Sequence, residues 1–122
     1  MILVDTCVWV ERLRGGRKAR DLTALLDEDR VLIHPWIVGE LALGHLGAGR
    51  RGILRDLGML PEVKHVKHDE VMEMIEARSL SGSGIGWVDA HLLASALVSG
   101  ALVWTFDRIL EQAARTLDIS FG

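Results

Sequence analysis

Four acidic residues stand where a carboxylate can do chemistry. Asp5 follows directly on the apolar run Ile2-Leu3-Val4. Glu40 interrupts the apolar stretch Ile37-Val38-Gly39-Glu40-Leu41-Ala42-Leu43. Asp89 comes just after the glycine-rich segment SGSGIG (Ser81 to Gly86), and Asp107 comes shortly after Leu102-Val103-Trp104. Each alone reads equally as a helix cap or a solvated charge, and Asp89 and Asp107 are both good N-cap types. As a set they read differently. Four gathered carboxylates repel one another, and some stay protonated unless a cation joins them. An all-oxygen donor set suits a hard divalent ion, Mg²⁺ or Mn²⁺. One or two such ions orient a water and stabilise charge on a phosphodiester oxygen.

The elements that must position these acids can be read from period and punctuation. Short apolar runs at Ile2–Val4, Val31–Ile33 and Leu102–Trp104 predict strands buried on both faces, with a further strand at 63–66 and a last one at 119–121. Between them, helical spacing predicts helices over 8–13, 19–26, 35–46, 53–57, from about Asp69, from Val88 to Gly100, and over 109–117. Pro35 suits a first helical turn. Strands separated by helices predict one α/β domain over 1–122, a three-layer α/β/α unit with a central parallel sheet. In open parallel sheets, ligands bind beyond the C-terminal strand ends, and all four acids land on that edge.

The totals exclude several classes. The chain has 122 residues, 49% hydrophobic and 25% charged, which is ordinary for a globular domain. Asp5 breaks the first apolar run and no basic segment precedes it, so the start does not read as a signal peptide. No stretch is long enough to span a bilayer, and a cytoplasmic location with no membrane partner is expected. The single cysteine, Cys7, excludes an internal disulfide, and the scattered histidines make no soft-metal set. Net charge is −3, yet Arg12, Arg14, Arg17, Lys18 and Arg20 crowd one short segment, with Arg50, Arg51 and Arg55 in a second group. They read either as solvated helix faces or as local phosphate contacts, Arg12, Arg14 and Arg17 among them.

Other motifs carry less. SGSGIG follows a helix and does not fit a dinucleotide fingerprint, so it reads as a connector ahead of Asp89. The start DTC lacks the second aspartate of haloacid-dehalogenase-like phosphatases, since Cys7 stands there. No lysine follows a late strand, as a receiver domain would need. Cys7 reads as a packing residue. His91 reads as a surface or supporting residue on a different helix side from Asp89. Trp9 and Trp87 fall near the acidic edge, where stacking on a base is open to them.

Taken together, LVDTCVWVE at the start, PWIVGELALG around Glu40, GIGWVDAHLLASAL around Asp89 and LVWTFDRIL around Asp107 resemble the PIN-domain ribonucleases, and more narrowly the VapC toxins of VapBC toxin–antitoxin systems. The resemblance spans essentially the whole chain. It implies a PIN fold with about five parallel strands and a metal site of Asp5, Glu40, Asp89 and Asp107, supported by Thr6 and Thr105. It also implies Mg²⁺- or Mn²⁺-dependent hydrolysis of RNA, a VapB-like antitoxin, a homodimer, and contact with operator DNA only through the antitoxin. Two positions depart from the family pattern: Cys7 where Ser is common, and Leu110 where Phe is common. The rival reading is a binding module that holds an antitoxin through the apolar helices at 19–26 and 36–46. A metal-dependent phosphatase is a third.

Overall fold

Ile2–Val4 forms the central strand, β1, of an all-parallel sheet in a computed structural model that describes Met1–Gly122. β1 lies between β2 (Val31–Leu32) and β3 (Leu102–Trp104). The register pairs Ile2 with Val31 and Leu102, and Leu3 with Leu32 and Val103. All three residues of β1 are buried, because helices cover both faces.

Seven helices surround the sheet: α1 (Thr6–Leu13), α2 (Asp21–Asp27), α3 (Pro35–Leu43), α4 (Arg50–Gly58), α5 (His68–Ala77), α6 (Trp87–Ser99) and α7 (Arg108–Thr116). Local chemistry sets their ends. Asp107 caps α7 by accepting from Leu110 N at 2.9 Å. His34 caps α3 through Nδ1, which accepts from Trp36 N at 3.0 Å, with Pro35 in the first turn. Gly100 ends α6 at φ +63°, the left-handed turn that favours glycine. Thirty buried apolar residues, including Val8, Leu22, Ile37, Leu92, Leu93 and Leu110, form one continuous core. No helix is long and apolar enough to cross a membrane.

The expected α/β architecture is present, but the sheet has three strands rather than about five. Of the two further strands expected, 63–66 is preceded by a single bridge of Ile33 with Glu62, and 119–121 makes a single bridge of Val103 with Ser120. Side chains divert their backbones. Lys64 N donates to Ser99 Oγ at 2.8 Å instead of continuing along β2. Ser120 Oγ accepts from Gly122 N at 3.2 Å and also bonds Glu111, which ends pairing with β3.

Candidate active site at the strand ends

The acids gather because β1 and β3 are neighbours in register. Val4 pairs with Trp104, so Asp5 and Thr105 emerge side by side from the sheet. Asp5 N donates to Trp104 O at 2.9 Å and prolongs the ladder to the edge of the site. Thr105 Oγ1 then donates to Asp5 Oδ2 at 2.7 Å and accepts from Asp107 N at 3.0 Å. The other Asp5 oxygen, Oδ1, accepts from Thr6 N at 2.8 Å. Thr6 Oγ1 donates to Glu40 Oε1 at 3.0 Å and so reaches α3. A continuous hydrogen-bonded path therefore runs Glu40–Thr6–Asp5–Thr105–Asp107. The structure brings together the four acids and both threonines singled out in the sequence.

Asp89 faces this path from the first turn of α6 and acts on it through charge. Its carboxyl is pushed up to about 6, first by burial and then by Asp5, Asp107 and Glu40. No cation relieves the repulsion. The ion pairs of the chain are Arg30–Glu28, Arg55–Asp56, His65–Glu62 and Arg115–Glu111, and none includes a site acid. Four carboxylates without a positive partner are the donor chemistry of a hard divalent cation. The side chains do not form a closed cage, since no three His, Cys, Asp or Glu groups stand in metal-holding geometry. Water ligands would complete coordination at such an open site, as is usual for Mg²⁺. The donor set thus fits a hydrated ion.

Cys7 belongs to this site rather than only to the packing around it. Its Sγ lies 3.5 Å from both Asp5 Oδ2 and Thr105 Oγ1, and it accepts from Phe106 N at 3.3 Å. Burial pushes the thiol above its ordinary range, which keeps it protonated and able to donate to Asp5. The signal in the sequence was its position, two residues after Asp5 on the turn into α1.

His91 is not a surface residue. It is 8% exposed and sits between Trp36 and Trp87, with ring centroids 4.6 and 4.7 Å away. His34 and His68 extend this band of rings, which braces α3 against α6 and so fixes Glu40 relative to Asp89. Trp9 is 4% exposed and belongs to the core, so it offers no face to a base, whereas Trp87 is 41% exposed.

The basic residues are placed elsewhere. The Arg12 guanidinium donates to Thr23 Oγ1 and lines an apolar groove with Trp9, Leu13, Leu26, Ile53 and Leu57. Arg14 caps the far end of α1, and Arg17 follows in a short 3₁₀ turn. No arginine is among the charges that act on Asp89. The groove lies between α1, α2 and α4, and α3 is not part of it.

A parallel sheet in the order β2-β1-β3, with acids from two strand ends and two helices, defines an α/β protein with an acidic edge site. The PIN domain matches residues 2–116, and the chain belongs to the PIN-domain family. It is similar to two curated relatives, both called Ribonuclease VapC32, from Mycobacterium tuberculosis strains CDC 1551 / Oshkosh and ATCC 25618 / H37Rv. Each is 47% identical over 115 residues, covering 93% of this chain and 90% of the relative.

Proposed function

We propose that the chain is a metal-dependent endoribonuclease, the toxin of a toxin–antitoxin pair, acting in the cytoplasm as one domain over residues 1–122. The observation that carries this reading is the set of four carboxylates with no cationic partner at the strand ends. Membership of the PIN-domain family and similarity to proteins called ribonucleases support it.

In this reading Asp5, Glu40, Asp89 and Asp107 hold one or two Mg²⁺ or Mn²⁺ ions. The bound cation would supply Lewis-acid polarisation of the phosphodiester and activation of water. The chain's residues do the positioning. Thr105 and the Thr6 amide fix both oxygens of Asp5, so this carboxylate meets a ligand already oriented. Thr6 aligns Glu40. The Asp89 carboxyl, pushed up to about 6 by burial and its acidic neighbours, would be held in its ionised form by a bound cation. Arg12, Arg14 and Arg17 lie along and beyond α1, where their contact with RNA is with backbone far from the cut.

A VapB-like antitoxin neutralises the enzyme, the chain forms a homodimer, and operator DNA is met only through the antitoxin. The apolar groove between α1, α2 and α4 favours a second reading, a module whose main work is to hold the antitoxin. One experiment separates them. Antitoxin-free protein is incubated with total RNA and Mg²⁺ or Mn²⁺, with EDTA and Asp89→Asn as controls, and the new ends are mapped. Discrete cuts that need metal and vanish in the variant establish the nuclease. Folded protein that binds the antitoxin yet cuts no RNA with either metal rejects it in favour of the module.

A further inference from the structure

A cleft of about 880 Å³ opens beside Asp107, between the end of α5, the Ser81–Gly86 loop and α7. Its lining includes Arg78, Ser83, Phe106, Asp107, Arg108 and Gln112. The sequence gives no hint of this grouping, because Arg78 and Arg108 are thirty positions apart on different elements. The backbone brings them together. Arg78 ends α5, and Ser79 turns the chain in the left-handed region at φ +53°. The loop then passes back over α7 so closely that a Cβ on Gly84 would lie 3.5 Å from Ile109 Cδ1.

The chemistry of this cleft is that of a polyanion site. Arg78 and Arg108 are exposed, and neither is held in an ion pair. Two free guanidinium groups beside Asp107 put positive charge next to an acidic site that otherwise repels a phosphate chain. Ser83 and Gln112 add uncharged donors. Phe106 is 39% exposed, stands perpendicular to Trp104 with ring centroids 6.1 Å apart, and belongs to the same lining. An arginine pair with an adjacent aromatic face is the combination that tracks single-stranded nucleic acid. The volume falls in the range of ligand pockets, about 300–1,000 Å³.

We propose that this cleft holds the single-stranded RNA running away from the acidic site, with Arg78 and Arg108 on its phosphates and Phe106 against a base. The proposal rests on the nuclease reading and names the path of its substrate. It differs from the α1 arginines in lying directly beside a site acid.

The test is equilibrium binding of fluorescein-labelled oligouridylate, read by anisotropy over a salt series. Asp89→Asn is the parent, so that binding is measured without cleavage. Arg78→Ala/Arg108→Ala on that parent is expected to weaken binding about tenfold or more and to flatten the salt slope by about 1.4, two single-strand phosphate contacts. Arg78→Lys/Arg108→Lys is expected to keep most of the slope, and melting by circular dichroism checks that each variant folds. Unchanged affinity and slope in the alanine pair, with wild-type protein still cutting RNA, overturns the cleft and leaves the nuclease standing. A parent that binds no RNA, from a wild type that cuts none, overturns both.

Discussion

Thr105 and Asp5 are 100 residues apart in the chain and joined by a 2.7 Å hydrogen bond from Oγ1 to Oδ2. The same hydroxyl accepts from Asp107 N, so one buried side chain sets the positions of two acids from separate elements. Thr105 is 5% exposed, which leaves it few alternative partners.

Replacing Thr105 by Val keeps the shape and removes the hydroxyl. Asp5 then loses its oriented donor, and Asp107 N loses its acceptor. Thr105→Val is expected to weaken Mn²⁺ binding and RNA cleavage by about 10–100-fold, while Thr105→Ser restores most of both. Calorimetric titration of Mn²⁺ reads the first and initial cleavage rates the second. Wild-type values for Thr105→Val would mean that this hydroxyl does not position Asp5.

The repulsion around Asp89 gives stability a definite pH dependence. The folded-state value is raised from 3.8 to about 6, so the folded chain binds more protons than the unfolded chain between those values. Stability from this group is fully present below the lower value and is lost as pH rises through the upper one. Asp89→Asn removes that loss. The cation-free variant is therefore expected to be more stable than wild type at neutral pH, by about 1 kcal/mol once solvent screening is allowed for, and to melt higher. The difference should close near pH 4. Mn²⁺ is expected to raise the melting temperature of wild type more than that of the variant. Thermal melts across pH, with and without EDTA, check both, and a variant that melts lower than wild type at neutral pH contradicts the account.

The strand-end placement of the acids was legible because it depends on local pattern. Ile2–Val4 and Leu102–Trp104 are continuous apolar runs, and a parallel sheet delivers the residues at their C-terminal ends to one edge. The edge segments were less legible. Nothing local in 63–66 says that Lys64 N will turn to Ser99, a residue 35 positions away. His91 stayed open between a surface and a supporting role for the same reason. Its helical spacing from Asp89 is readable, but the rings of Trp36 and Trp87 that enclose it depend on how α3 meets α6. Cys7 was legible as a neighbour of Asp5, while its contact with Thr105 depends on strand register.

The ring band supplies a second pH dependence, opposite in sign. Burial lowers the His91 value, and nearby His68 lowers it further. His34 is lowered in the same way by burial and by His65 and His91. The unfolded chain then binds more protons than the folded one just below the ordinary histidine value of 6.5. Stability is present above that value and is lost as pH falls through the depressed ones. Asp89 masks this in wild type, because its own contribution grows over the same fall. The measurement therefore belongs in the Asp89→Asn background. There, His91→Phe is expected to stay within about 1.5 kcal/mol of its parent at alkaline pH, as a shape-conserving swap does. On acidification the parent should lose stability faster than His91→Phe, since only the parent carries a ring that must take up a proton between two tryptophans. Parallel melting curves for the two proteins from neutral to acid pH would show that His91 titrates as freely in the folded chain as in the unfolded one.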